Sequence, residues 1–327
     1  MMYIKNDSTD ANFNFALEKY AMYELDKADE YFIFWRTQPT LMIGNYQNPY
    51  QEINMDYAKE NSVNIVRRIT GGGTIYTDMN GWQFSFIVKG KRDDAKKIDF
   101  EKYTKPIIDA LKSLDVDAYR SGRNDLLIDE KKFSGNAQYH DKSVSLHHGS
   151  LLFDTDIEAM VRALNVADEK IISKGIKSVK GRVTNISDYL KGKISSLEFR
   201  DVMIKYLTKD MEIYHLTDED IKRVNEIKTQ QFDTWEWNIG KTPKFNKTKD
   251  KRFAGGKLQV CVFVEKGVIK DIEFYGDFFA QKDINELKQA LLGCEYKEKE
   301  IKDRLVAANA QEYFYKITLE DVLYLFS

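Results

Sequence analysis

Three adjacent glycines, Gly71-Gly72-Gly73, follow paired arginines in the stretch Arg67-Arg68-Ile69-Thr70-Gly71-Gly72-Gly73-Thr74. The apolar run Val63-Asn64-Ile65-Val66 leads into this stretch, and a second strand-like run, Trp82 to Val88, comes soon after it. Glycine reaches positive φ and lets a backbone approach a ligand closely. Successive backbone N–H groups in such a turn form a concavity suited to anions. An arginine beside it adds a planar fork matched to phosphate or carboxylate. The pattern predicts an anion-binding loop between two strands.

Hydrophobic periodicity places the remaining elements. Ala11 to Leu25 reads as a helix with Phe13, Leu17 and Ala21 on one face, and Tyr31 to Arg36 and Thr40 to Ile43 read as strands. Met55 to Asn61, Glu101 to Leu114, Ile157 to Leu164, Leu197 to Leu207 and Asp218 to Lys228 read as helices. Asp125 to Asp129 and Lys132 to Tyr139 read as a hairpin, followed by a strand from Ser143 to Phe153. Strands grouped in the first half and helices in the second predict an α+β domain, not a regular parallel βαβ repeat. Lys241 to Arg252 is polar and basic and reads as an exposed linker. Beyond it come a hairpin, Leu258 to Glu265 and Val268 to Tyr275, and helices near Ile284 to Leu292 and Leu319 to Leu325. The expected division is a large domain over 1–245 and a small α+β one over 246–327.

The 327 residues are 43% hydrophobic and carry a formal net charge of -2, so charge makes no case for nucleic-acid binding. The N-terminus lacks the pattern of a secretion signal and no apolar run is long enough for a membrane span. The only two cysteines, Cys261 and Cys294, are too few for a disulfide framework, and a cytoplasmic setting is expected. No G-x-x-x-x-G-K-[ST] loop and no G-x-S-x-G elbow occurs, and Tyr76 stands where a dinucleotide fingerprint needs its third glycine.

Two further constellations carry chemistry. In Lys131-Lys132-Phe133-Ser134-Gly135-Asn136-Ala137, an extended backbone puts Lys132 and Ser134 on one face and Lys131 and Phe133 on the other. An ammonium beside small residues can stabilise charge on a phosphate or acyl oxygen, or can simply be solvated surface. Asp125, just upstream, can hold a metal, position an amine or cap a turn. In His147-His148-Gly149 the two imidazoles of a strand point to opposite faces, which argues against a shared metal ion. One is expected buried and the other exposed. Trp235 and Trp237, alternating with polar residues, are expected to pack as core or beneath the C-terminal part.

Taken in order, Arg67-Arg68-x-x-Gly71-Gly72-Gly73, Gly122-Arg123-Asn124-Asp125, Lys132-x-Ser134-Gly135-x-Ala137, His147-His148-Gly149-x-Leu151-Leu152, Arg182-Val183-Thr184-Asn185 and Trp235-x-Trp237-Asn238-x-Gly240 resemble the motifs of lipoate–protein ligases of the A type. The resemblance covers nearly the whole chain. It implies a catalytic domain like that of biotin–protein ligases, with mixed β-sheets and surrounding helices, joined to a small accessory domain. It also implies a reaction. Lipoate is activated by ATP and Mg2+ to lipoyl-AMP, and the lipoyl group passes to a lysine of a carrier domain, in a glycine-cleavage H protein or a 2-oxoacid dehydrogenase acyltransferase subunit.

By the same resemblance, Arg68, Gly73, Thr74, Ile75, Tyr76 and Lys132 contact ATP. Arg68, Gly72, Lys132 and His148 contact lipoate, Lys132 is catalytic, and Asp125 is a metal-holding or positioning residue. Leu41, Ile43, Val66 and Ile75 are expected to wall the apolar lipoyl slot. Many relatives carry His-Asp where this chain has Thr77-Asp78, which leaves the hydrogen bonding there open. The related octanoyltransferases depend on a cysteine in the main domain, and none occurs here between Met1 and Gly240. The alternatives are an ATP-independent lipoyl or octanoyl transferase and a non-catalytic lipoate- or carrier-binding protein.

Overall fold

The structure is a computed structural model that describes residues 1–90, 99–122, 124–141, 143–164, 181–240 and 245–326. Arg123 and the start of the expected linker, Lys241-Thr242-Pro243-Lys244, lie outside the described residues. The chain runs through β1 (Met2–Lys5), α1 (Ala11–Tyr23), β2 (Glu30–Trp35), β3 (Thr40–Ile43), the short α2 (Pro49–Glu52) and α3 (Met55–Glu60), β4 (Asn64–Arg67), β5 (Ile75–Thr77) and β6 (Gly81–Lys89). Next come α4 (Phe100–Lys112), β7 (Tyr119–Ser121), β8 (Asp125–Ile128), β9 (Lys131–His140), β10 (Val144–Leu152), α5 (Ile157–Ala163), α6 (Ser196–Leu207), β11 (Glu212–His215), α7 (Asp218–Ile227) and α8 (Trp235–Asn238). The α+β class expected from the sequence is what the chain adopts.

An eight-stranded mixed sheet, ordered β11-β1-β2-β6-β10-β9-β8-β7, forms the centre. Its central strands are buried on both faces, because period-2 alternation sends large apolar side chains to each. On one face Phe32, Phe34, Phe84, Phe86 and Phe133 pack with Ile107, Leu111, Phe199 and Met203 of α4 and α6. On the other, Tyr31, Ile33, Trp35, Ile87 and Leu146 meet Phe15, Leu17 and Ala21 of α1 and Val224 and Ile227 of α7. The entry of α1 is fixed by Asp10, whose carboxylate accepts the N–H groups of Asn12 and Phe13. A small three-stranded sheet, β4-β3-β5, lies beside this second face and carries the glycine loop between β4 and β5.

The C-terminal domain is an antiparallel meander, β12 (Lys247–Phe253), β13 (Gly256–Glu265) and β14 (Val268–Gly276), covered by α9 (Ile284–Leu291), α10 (Glu298–Ala307) and α11 (Leu319–Tyr324). The exposed linker expected up to Arg252 is corrected here: from Lys247 onward the segment is strand β12, paired along Val262 to Gly256. Its alternate lysines conceal the strand pattern, since Lys249 and Lys251 lie over the Tyr324 ring and Lys247 over that of Tyr296.

This domain sits directly on the glycine loop. Tyr46 stacks on Phe278 at 4.6 Å between centroids, Tyr46 O accepts the Gly276 N–H at 2.7 Å, and Phe278 O accepts the Gly72 N–H at 3.3 Å. Phe279 is fully buried against Phe100 and Ala137 of the large domain. Glycine is required at position 71, where a Cβ would stand 2.2 Å from Phe278 O. A Gly73 Cβ would meet nothing within 4 Å. Gly71→Ala is therefore expected to push the C-terminal domain off the loop, seen as a larger radius of gyration in solution scattering. Gly73→Ala should leave that radius unchanged, and equal radii for wild type and Gly71→Ala would show that the contact yields without cost.

Candidate active site

A cleft enclosing about 570 Å³, its open mouth included, lies between the large sheet, α1 and the glycine loop. Strand register explains its floor. Trp35 on β2, Gln83 on β6 and Ser150 on β10 form one row across the sheet, and Ile33, Ser85, His148 and Ala137 form the next. All face α1. Phe15, Trp35, Met42 and Ile75 make the apolar wall, and Arg68, Gly72, Gly73, Thr74, Lys132, Asn124 and His148 line the rest.

Of the residues singled out in the sequence, Arg68, Gly72, Gly73, Thr74, Ile75, Lys132 and His148 all border this one cavity. Tyr76 does not: alternation turns its ring into a cluster with Leu41 and Ile43 behind the small sheet. For the same reason the expected wall residues Leu41 and Ile43 face away, and Met42 between them faces in. Val66 packs in the core beneath. The sequence reading missed Phe15, Trp35, Gln83 and Glu18. The helical spacing of Phe15 and Glu18 on α1 was their available signal.

The paired arginines have separate tasks. Arg67 is buried and bonds to the carbonyls of Gly44, Asn45, Gln47, Trp237 and Asn238, tying the turn after β3 to α8. Trp237 returns the contact, its indole N–H donating to Arg67 O at 2.7 Å. Arg68 donates from Nε to Thr70 Oγ1, from Nη1 to Met42 O, and from Nη2 to both Gly71 O and Gly73 O, at 2.7 to 3.0 Å. Both Nη2 hydrogens are thus spent on the loop, so the bidentate fork expected to meet a ligand is turned onto the protein's own carbonyls. Burial, with Arg67 beside it, pulls the Arg68 guanidinium down to about 9, opposed by Glu18, and it stays protonated at neutral pH. Gly72 has φ +90, a conformation that favours glycine.

Lys132 reaches the cavity while Lys131 lines a separate acidic surface cleft with Asp154, Asp156 and Asp188, so the two lysines diverge as strand alternation requires. The Lys132 backbone is pinned by Arg182 O and Thr184 N at 2.8 and 2.9 Å, and its ammonium lies 2.7 Å from Asp125 Oδ1. Asp125 here positions an amine. Both histidines are buried, which corrects the expectation that one would be exposed. They do face opposite ways: His147 stacks on Tyr103 at 5.0 Å and bonds to Gln138. Burial, reinforced by His148 and His140, drives the pKa of His147 well down, so it is neutral. His148 Nε2 meets Thr70 Oγ1 at 2.7 Å and its Nδ1 lies 3.1 Å from the buried Glu18 carboxylate.

The family model described as the lipoyl protein ligase A/B catalytic domain matches residues 10–208, and that of the bacterial lipoate protein ligase C-terminus matches 242–326. The chain belongs to the lipoyl protein ligase family. Lipoate-protein ligase LplJ of Bacillus subtilis is 40% identical over 99% of both chains. A structure of the bipartite lipoate protein ligase of Thermoplasma acidophilum, from work that includes its E2 lipoyl domain, is 26% identical with a TM-score of 0.66 over 74% of this chain and 97% of that one. The fold also matches that of LipL1 from P. falciparum in complex with lipoate, with a TM-score of 0.80 and 24% identity over 99% of this chain and 98% of that one. No helix of the ligase's described residues is long and apolar enough to cross a membrane.

Arg68→Lys keeps the charge but cannot reach Thr70 Oγ1 and three carbonyls at once. Leaving buried acceptors at Met42, Gly71 and Gly73 unpaired should destabilise the large domain by on the order of 3 kcal/mol, read as a lower denaturant midpoint. An unchanged midpoint would mean that the loop holds its shape without the guanidinium.

Proposed function

We propose that the chain is an ATP-dependent lipoate–protein ligase that activates lipoate to lipoyl-AMP and transfers the lipoyl group to a lysine of a carrier domain. The single observation that carries this reading is the convergence of an apolar slot, the glycine loop and Lys132 on one cavity. Phe15, Trp35, Met42 and Ile75 suit an aliphatic tail. Its carboxylate then lies toward Lys132 and the loop, where ATP is bound by the Gly73-Thr74-Ile75-Tyr76 backbone and Lys132. Gly72 and His148 border the lipoyl group, and Arg68 acts by shaping the loop. The carriers are lipoyl domains of 2-oxoacid dehydrogenase acyltransferase subunits or a glycine-cleavage H protein, and the setting is cytoplasmic. Residues 1–245 form the catalytic unit and 246–327 the accessory one.

In the first step a lipoate oxygen attacks the α-phosphorus of ATP, and the bond to pyrophosphate breaks. Two anionic groups approach, and the Lys132 ammonium, swinging from Asp125, offsets the charge that builds on the α-phosphate and acyl oxygens. In the second, the amine of the carrier lysine attacks the acyl carbon, the bond to AMP breaks and the amine loses a proton. Among the described residues no three His, Cys, Asp or Glu side chains form a metal cage. Mg2+ needs only one or two carboxylates beside substrate phosphates and water; Asp125, once the Lys132 ammonium leaves it, would be the carboxylate to hold it, and the ion would supply charge neutralisation on the phosphates.

Exchange of labelled pyrophosphate into ATP that requires lipoate tests the reading, and its absence in the folded wild-type protein would rule it out in favour of an ATP-independent transferase or a binding protein. Lys132→Ala should lower the exchange rate by at least about a hundredfold, equivalent to ~3 kcal/mol in the transition state. Lys131→Ala should leave it near wild type, and the reverse pattern would refute the assignment of Lys132. Both cysteines are buried in the C-terminal domain and burial pushes their thiols up, away from nucleophilic character. Accordingly, the double variant Cys261→Ser with Cys294→Ser should keep its activity; an acyl adduct on the wild-type enzyme that disappears in the variant would point to a thioester route.

A further inference from the structure

A continuous chain of buried polar groups links the apolar end of the cavity to the glycine loop. The Trp35 indole N–H donates to Ser85 Oγ at 3.1 Å, and Ser85 donates to Glu18 Oε1 at 2.5 Å. His148 Nδ1 lies 3.1 and 3.3 Å from the two Glu18 oxygens, and its Nε2 lies 2.7 Å from Thr70 Oγ1. Thr70 Oγ1 in turn accepts from Arg68 Nε at 3.0 Å. Glu18, Thr70 and Ser85 are almost fully buried and His148 is nearly so.

One set of directions satisfies every bond. A carboxylate only accepts, so His148 donates from Nδ1–H to Glu18. Thr70 already accepts from Arg68, so its own hydroxyl proton is left to donate to His148 Nε2. A neutral Nδ1–H imidazole satisfies each member of the chain. The Nε2–H tautomer would set a bare Nδ1 against the Glu18 oxygens, acceptor facing acceptor, and leave the Thr70 proton without the acceptor it uses here.

We propose that Glu18 and Thr70 are positioning residues for activation, fixing the tautomer of His148 and, through it, the plane of the Arg68 guanidinium that shapes the glycine loop. This rests on the reading of the cavity as the lipoate and ATP site. The chain couples the two halves of that site. Its Trp35 and His148 members line the slot, and its Arg68 member holds Gly71 O and Gly73 O. The sequence offered Arg68 and His148 as separate ligand contacts; the structure makes them two links of one device.

Glu18→Gln is the incisive variant because it keeps shape. Its carbonyl can stay with Ser85 at the Oε1 position, 3.1 Å from His148 Nδ1, while the amide N–H2 takes the Oε2 position 3.3 Å from that nitrogen. An amide donor there favours Nδ1 as its acceptor, which moves the proton to Nε2. Side-chain 15N NMR on the full chain, with His148 distinguished from the other three histidines by its loss in a His148→Gln variant, should show Nδ1–H in the wild type and Nε2–H in Glu18→Gln. Glu18→Gln and Thr70→Val should each lower the maximal rate of lipoate-dependent exchange by about tenfold. The double variant should fall no further than the worse single one, as for residues acting as a unit. Thr70→Ser, which keeps the hydroxyl, should restore most of the rate.

An Nε2–H tautomer in the wild type, losses that multiply in the double variant, or single variants at the wild-type rate would each overturn the proposal. If the wild-type protein shows no exchange at all, the reading of the cavity fails instead, and the tautomer measurement alone still decides the relay.

Discussion

The site depends on two guanidinium groups that are buried with no carboxylate paired to them among the described residues. A charge taken out of water is tolerated only where hydrogen bonds surround it. Here backbone carbonyls do so, and each arginine organises the segment that supplies them. Arg67 gathers Gly44, Asn45 and Gln47 with the α8 backbone. Arg68 gathers Met42, Gly71 and Gly73. The loop is therefore shaped before a ligand arrives. This is the pre-organisation that electrostatic catalysis needs, since dipoles already in place require no rearrangement during reaction.

The central sheet sorts chemistry by parity. Along β10, His147 packs against Phe84, Phe100 and Tyr103 while His148 and Ser150 line the cavity, and one strand serves both a hydrophobic core and a polar floor. A one-residue register slip would exchange these sets. The bulge between Leu126 and Leu127, opposite Lys132 to Ser134, is the local adjustment that accompanies the turn of Lys132 toward the cavity.

These rules explain what was legible in the sequence. The elements read from periodicity, such as α1, β2, β3, α4, β9, β10 and α7, lie within a residue or two of those observed, whereas β1, α2, β5, β7, β11 and α8 had no reading; the opposed directions of Lys131 and Lys132 and of His147 and His148 followed from strand geometry. Burial did not follow, because pairing partners such as Glu18 for His148 come from distant segments. Nor did the wall of the slot: Leu41 and Ile43 look as apolar as Met42, and only the placement of β3 between β4 and β5 decides which face turns inward. Strand β12 was hidden by lysines that lie over tyrosine rings. At Thr77, where the sequence left the hydrogen bonding open, the Gln83 amide donates to Thr77 Oγ1 at 2.6 Å. The Gln83 Oε1 and Thr155 Oγ1 atoms stay buried without partners, a cost of about 1–3 kcal/mol each if no water fills the gap.

The contact between the domains must meet opposed demands. An acyl adenylate is labile to water, so closure over the loop protects it, yet a carrier lysine must later reach the same carbon. Phe278 and Phe279 supply non-directional apolar burial against Tyr46, Phe100 and Ala137, beside two backbone bonds, from Gly276 N–H to Tyr46 O at 2.7 Å and from Gly72 N–H to Phe278 O at 3.3 Å. Aromatic faces separate and reseat without a specific geometry to rebuild. A dense polar interface in the same place would leave many buried donors and acceptors unpaired if it opened, whereas the small glycine at position 71 and the two phenylalanines opposite it leave few directional bonds across the contact.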